Sequence, residues 1–405
     1  MAGRLEQQAG ASAIHSCERA GVQGGRSVSP RSRIDRWDLL PWNEAGFRGH
    51  GDALDTTFDL LTLSLLPGVT PRACRDLAAR ADLSKALARP EEHGDLLGHR
   101  ARTLLRNGAA RRRAEDEQRR AVALGGRIVG RDETDYPELL RHVYDPPPVL
   151  YILGSLRAGE GDHSLAVVGS RAASPAGVTL ARVMARELSA AGLTIVSGLA
   201  RGIDTAAHQG ALDGEGRTVA VLGSGLDRLY PVDNARLARA VAGRGAVVTE
   251  FPLGTAPQPG YFPRRNRIIA GWGRAVVVVE AAQRSGALVT ARCALEEGRD
   301  VMAVPGHPSH PGSAGTNALI RDGALLVRGA ADVAEAMGVE LPEAPDRPDD
   351  AGDPVLAVLS AEAPSSVEDV QRRSGRPASE VLGRLTELEL ASRVRRLPGA
   401  LFVRA

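Results

Sequence analysis

The stretch GYFPRRNRIIA, residues 260–270, sets an aromatic pair, Tyr261 and Phe262, against three arginines around Asn266. Only 3% of the chain is aromatic, so two rings beside an arginine cluster stand out from the composition. Guanidiniums hold phosphates through paired N–H donors. A ring face stacks on any nucleobase, at about 1–3 kcal/mol per base. Pro263 can open a helix, with Asn266 and Arg267 in its first turn and Ile268 and Ile269 turned inward. Cations at a helix N-terminus oppose its dipole. A bound polyanion would relieve that placement; so would pairing of Arg264 and Arg267 with nearby acids. Core packing is the ordinary alternative for Phe262.

Small residues with an arginine recur after other apolar runs. Gly169, Ser170 and Arg171 precede a Ser174-Pro175 helix start. Ser197, Gly198 and Gly202 surround Arg201, and a helix begins near Asp204. Gly223 and Gly225 precede Arg228, and Ser285, Gly286 and Thr290 add neutral donors at a further helix entrance. Glycine after a strand is routine turn chemistry, but an arginine at three successive strand ends points to a site for several phosphates.

Other chemistry finds less support. The GxGxxG dinucleotide fingerprint is broken at Arg228, and no GxxxxGK[ST] phosphate loop exists. Asp204 and His208 are spaced for an acid-assisted histidine, yet an N-terminal acid above a buried histidine is the commoner use of that spacing. Glu280 ends a strand with no nucleophile in view. His307 and His310 flank Pro308 without a third ligand, so no metal is expected. Three scattered cysteines, Cys17, Cys74 and Cys293, form neither a disulfide framework nor a zinc pattern. No plausible catalytic set is evident, and NAD and ATP are disfavoured as cofactors.

The elements that must position these residues are legible. LAVVGS, LTIVSG, TVAVLG, AVVTE, AVVVVE and DVMAVPG are apolar on both faces and separated by helical segments, which predicts a Rossmann-like, doubly wound parallel α/β sheet. The chain divides into a disordered extension (1–55), a helical SAM-like or helix-hairpin-helix-like unit around Leu66-Pro67-Gly68-Val69 (56–125), the Rossmann-like domain with its lead-in segment (126–338), an acidic Pro-rich linker (339–353) and a winged-helix-like tail (354–405). Net charge is only +2, so affinity for nucleic acid must come from local arginines; Lys85 is the single lysine. No apolar run approaches a membrane span and no signal-peptide core is visible, so the expected location is the cytoplasm.

In order along residues 165–327, GSR, SGLARGID, VLGSGLDRLYP, FPRRNRIIAG, VVEAAQRSGALVTA and AVPG resemble the DNA-processing protein A family (DprA, also called Smf). The resemblance departs at Ala176, where the family often has Tyr, and at Trp272-Gly273, where Leu-Ser is common. It implies a non-enzymatic role without a cofactor, for a homodimer that binds single-stranded DNA and helps load the recombinase RecA onto DNA coated by single-strand-binding protein, in natural transformation and recombination. By motif, Arg171, Ser197, Gly198, Arg201, Phe262, Arg264, Asn266 and Arg267 should contact DNA, with Arg228 on the basic surface. In the tail, Glu380, Glu387 and Glu389 surround Arg384 on the third helix, while Arg393, Arg395 and Arg396 sit in the hairpin. That pattern suits protein contact or an auxiliary DNA role better than duplex reading. The rival reading is a nucleoside-monophosphate phosphoribohydrolase, whose paired-glycine loop and catalytic glutamate EAAQRSGALVTA lacks.

Overall fold

The six β-branched runs all become strands, at the centre of a larger sheet. The computed structural model describes residues 51–342, 352–361, 363–390 and 393–404. Among these the strands are β1 Arg127–Gly130, β2 Val149–Gly154, β3 Ser164–Val168, β4 Thr194–Ser197, β5 Thr218–Val221, β6 Ala246–Thr249, β7 Ala275–Val278, β8 Asp300–Ala303 and β9 Leu325–Leu326. They form one sheet in the order β1-β2-β6-β5-β4-β3-β7-β8-β9. From β6 to β9 every pairing is parallel.

The sheet departs from an all-parallel one at its other end, where β2 joins β6 antiparallel and β1 joins β2 antiparallel. Parallel pairing requires a crossover that returns the chain to the same end. The Pro-rich connection from β1 to β2 contains only the four-residue helix Glu138–Arg141 and instead turns the chain back on itself.

Alternation along the strands explains the two covered faces. Leu165 and Val167 pack with Met184, Leu188, Ile203 and Ala207 on one side. Ala166 and Val168 pack with Ile268, Ile269, Trp272 and Ala291 on the other. Each fully buried valine or leucine contributes about 1.5–3 kcal/mol, and the sheet has such residues on both faces.

The direction of winding reverses at β3. From there the chain steps to β4, β5 and β6 on one side, then returns to place β7 on the other. The carboxyl ends of β3 and β7 therefore border the crevice in which open α/β sheets bind ligands.

The helices Gly51–Ser64, Pro71–Arg80, Leu83–Ala88, His99–Arg106 and Ala109–Ala123 precede the sheet. The second of them is capped by Thr70, whose Oγ1 accepts the Ala73 N–H at 3.1 Å, with Pro71 at the first helical position. The first helix opens at Gly51, within the segment assigned to the extension; the rest of that assignment, residues 1–50, lies outside the described residues, as does most of the acidic linker.

The tail holds helices Pro354–Ala357, Val367–Ser374 and Ala378–Leu390 and strands β10 Ser365–Ser366, β11 Val394–Leu397 and β12 Leu401–Arg404. These strands pair antiparallel in the order β10-β12-β11, over a core that includes Val370, Leu385 and Phe402. This is a winged helix. Arg384 on its third helix is held by Asp353 and Glu387, both at 2.7 Å.

Candidate nucleic-acid interface

The crevice at the switch point is a cleft of about 660 Å³, bordered by the loops and helix starts after β3, β4, β5, β6 and β7. The loop after β3 brings Ser170 and Arg171. Its backbone is fastened on two sides, with Ser170 N–H donating to Glu280 O at 2.7 Å and Ser170 O accepting from Ile203 N–H at 3.2 Å. Arg171 itself is exposed, and its guanidinium lies 5.1 Å from the centre of the Phe262 ring.

The loop after β4 is held in a demanding conformation. Leu199 has φ 56°, a left-handed value that costs a non-glycine residue about 1–3 kcal/mol. Asn234 Nδ2 fixes its carbonyl at 2.8 Å, and the buried Asp204 carboxylate accepts from Gly198 N–H (3.1 Å) and Ala200 N–H (3.3 Å). Burial raises the Asp204 pKa, opposed chiefly by the charge of Arg265. Gly202 has φ 77°, and a Cβ there would sit 2.2 Å from Ser170 O, so the loops after β3 and β4 meet only because residue 202 is glycine.

The helix after β6 is Tyr261–Trp272; it starts two residues before Pro263. Its arginines part company. Arg265 is 3% exposed and lines the cleft. Its Nη1 donates to the carbonyls of Gly198 and Val221, and its Nε to Asn266 Oδ1 at 3.2 Å. Asn266 Nδ2 in turn reaches Gly286 O at 3.3 Å. This pair of side chains therefore ties the β4, β5 and β7 ends together. Burial draws the Arg265 pKa down to about 10, and Asp204 opposes the shift.

Arg264 and Arg267 do not line the cleft. They are three apart, so they share a helix face, and both hold Glu250, whose side chain is 2% exposed. Arg264 is bidentate on it (3.1 and 2.9 Å), and Arg267 Nη2 lies 2.6 Å from Oε2. Local acid pairing thus relieves the unfavourable dipole placement, the role that sequence reasoning left open between such acids and a polyanion.

The remaining expected residues divide in the same way. Phe262, Asn266, Ser285, Gly286 and Thr290 line the cleft with Arg171. Ser197 is buried, and its hydroxyl donates to Val167 O at 2.7 Å; Gly198 is backing for Arg265. Arg201 pairs with Asp233 at 2.6 Å on open surface, and Arg228 lies outside the cleft lining.

Sequence reasoning missed Arg265 and Tyr230. The spacing of Arg265 from Ile268 and Ile269 placed it on their inward face. Tyr230 lines the cleft 46% exposed, with its ring 5.6 Å from that of Phe262.

The groups considered for catalysis have structural partners. Glu280 accepts from Ser174 N–H and, at 2.6 Å, from the Ser174 hydroxyl. His208 is buried, with Nδ1 2.7 Å from Thr218 Oγ1. That hydroxyl donates to Ile195 O at 2.7 Å, so the histidine proton sits on Nδ1. Among the described residues no cluster of three metal-ligating side chains occurs.

An open, mostly parallel sheet with its cleft at the winding reversal defines a Rossmann-like α/β protein. The family model for DNA recombination-mediator protein A matches residues 127–338, and that for the DprA winged helix domain matches residues 339–400. The chain belongs to the DNA recombination-mediator protein A family. It is 44% identical over 284 residues to Protein Smf of Escherichia coli (strain K12), covering 67% of this chain and 76% of that one. It is 39% identical over 208 residues to DNA processing protein DprA of Bacillus subtilis (strain 168), covering 51% and 69%. The X-ray structure of DNA processing protein A from Streptococcus pneumoniae superposes with a TM-score of 0.57 at 33% identity, over 71% of this chain and 99% of that one.

Proposed function

We propose that this protein is a single-stranded DNA-binding recombination mediator, working in the cytoplasm without catalysing a reaction of its own. The observation that carries the reading is the composition of the cleft. One exposed cation, Arg171, one buried cation, Arg265, and two ring faces, Phe262 and Tyr230, converge in a space of about 660 Å³. Cations beside aromatic faces suit a strand whose bases are free to stack, because stacking needs no base-edge code. A duplex keeps its bases stacked on one another and offers such a cleft only its backbone.

Membership of a family described as recombination mediators supports the further role: protecting the strand and loading RecA onto it, beside single-strand-binding protein, during transformation and recombination. A homodimer fits the outer edge of the sheet. There, among the described residues, β9 pairs only with β8, and Leu325 and Leu326 are 50% and 44% exposed, with Leu325 beside Leu295. An unpaired edge with exposed leucines is a surface a second copy can cover.

Fluorescence anisotropy with single- and double-stranded oligonucleotides across a salt series tests the reading. Single strands should bind more tightly, with affinity falling as salt rises. In Arg171→Ala the slope should be shallower by about 0.7 for each phosphate that the arginine neutralises. Indifference to single strands at low salt, or release of base from nucleoside monophosphates, would move the protein to the hydrolase reading.

A further inference from the structure

We propose that the floor of the cleft contains a subsite for a nucleoside phosphomonoester, built from the N-terminus of helix Gly286–Glu296, the Thr290 hydroxyl and the Arg265 guanidinium. The proposal rests on the single-strand reading of the cleft and narrows it to one chemical group.

Thr290 is 1% exposed and lines the cleft, yet its hydroxyl has no hydrogen-bond partner among the described residues. A helical threonine commonly returns its hydroxyl to the carbonyl one turn back. Here that carbonyl, Gly286 O, accepts from Asn266 Nδ2. The hydroxyl therefore opens onto the cleft with no partner among the described residues, and a ligand oxygen at the cleft floor can accept from it.

Two further donors have no acceptor among the described residues, the N–H of the exposed Gly286 and one nitrogen of the buried Arg265. Gly286 opens an eleven-residue helix. Ser285 Oγ takes the Ala287 N–H at 3.3 Å, which leaves the Gly286 N–H among the amides that a helix cannot satisfy from within. Arg265 commits Nε and Nη1 to Asn266, Gly198 and Val221, so Nη2 is its one nitrogen with no acceptor among the described residues. Its guanidinium also lacks a hydrogen-bonded carboxylate among those residues, in contrast to Arg264 and Arg267.

A hydroxyl, a helix amide and a guanidinium are the donor set of a phosphate site. Depth selects the monoester. An internal phosphodiester would have to bring a sugar on each side to the level of these buried side chains, whereas a terminal phosphate brings one. The end of a strand and a free nucleotide present the same group, and the experiment separates them.

Anisotropy is measured with an internally labelled single strand carrying a 5′-phosphate, a 3′-phosphate, or hydroxyls at both ends. Thymidine monophosphate, thymidine and sodium phosphate serve as competitors at matched ionic strength. If strand ends are the source, one phosphorylated strand binds about tenfold more tightly than the hydroxyl-ended strand. If free nucleotides are, thymidine monophosphate displaces the hydroxyl-ended strand where thymidine and phosphate do not. Thr290→Val removes whichever preference is found, and Thr290→Ser restores it. Equal affinity of the three strands, with thymidine monophosphate no better a competitor than phosphate, overturns the proposal. If no strand binds, the DNA reading has failed on its own. Calorimetric titration with thymidine monophosphate then decides the subsite: heat that depends on Thr290 supports it, and its absence overturns it.

Discussion

The Nη1 of Arg265 donates to the carbonyl of Gly198 at 2.7 Å, and a Cβ on residue 198 would lie within 2.6–2.7 Å of the same guanidinium. A glycine in the second strand-end loop and a buried arginine on the helix after β6 therefore occupy each other's only space. The glycine lets the cation reach the cleft, and the cation fixes the loop.

Gly198→Ala should accordingly disturb binding and stability together. Both groups are buried and Arg265 is pinned at Val221 and Asn266 as well, so neither can retreat freely. Overpacking of this kind costs about 1–3 kcal/mol. Urea unfolding should report that loss, and oligonucleotide anisotropy should show weakened binding. A variant with unchanged midpoint and affinity would mean the loop and guanidinium can part without consequence.

Glu250→Gln should destabilise without altering the salt dependence of binding. The carboxylate is the shared partner of Arg264 and Arg267, and the Arg267 side chain is only 15% exposed. Removing one member of a buried ion pair costs about 3–5 kcal/mol, to be discounted here because Arg264 is 45% exposed and solvated. Chemical denaturation checks the first part. A changed salt slope would show that these arginines do reach a phosphate.

The acid limb of stability should carry the signature of His208. Burial holds its pKa at about 3, against an ordinary 6.5. Below pH 6.5 the unfolded chain takes up a proton that the folded chain refuses, so this contribution is fully present above 6.5 and is lost as pH falls toward 3. Its limiting slope is about 1.4 kcal/mol per pH unit. Asp204, whose pKa burial raises above its ordinary 3.8, works in the opposite direction, so the His208 contribution is read as the difference between wild type and a variant over the window from pH 6.5 to 5. His208→Asn, which can still donate to Thr218, should flatten the melting temperature across that window.

Leu325→Glu should abolish the self-association proposed for the β9 edge. The residue is half-exposed on β9, which among the described residues has a strand neighbour on one side alone. A charge there has no cost in the monomer and a high one in an interface. Light scattering on wild type and variant provides the comparison; a variant that still dimerises places the interface elsewhere.

Much of this architecture is written locally. The doubly apolar runs from Leu165 to Val304 could only be strands of a covered sheet, and small residues at their ends could only be the turns into the following helices. Arg171, Phe262, Ser285, Gly286 and Thr290, which line the cleft, were legible because each lies in the loop or helix start that leads on from such a run. Rotation about the helix axis was not. Within FPRRNR, which arginine meets the cleft depends on Glu250, 14 residues before Arg264, and on carbonyls of Gly198 and Val221, 67 and 44 residues from Arg265. The same holds for Ser197, turned inward by the carbonyl of Val167, and for Arg201, drawn outward by Asp233. The sequence by itself determined the strands, the order of the loops and the kinds of donor available. Only the tertiary structure decided which donors stay free for a ligand, because a guanidinium or hydroxyl is claimed by whichever acceptor the packed sheet brings within about 3 Å.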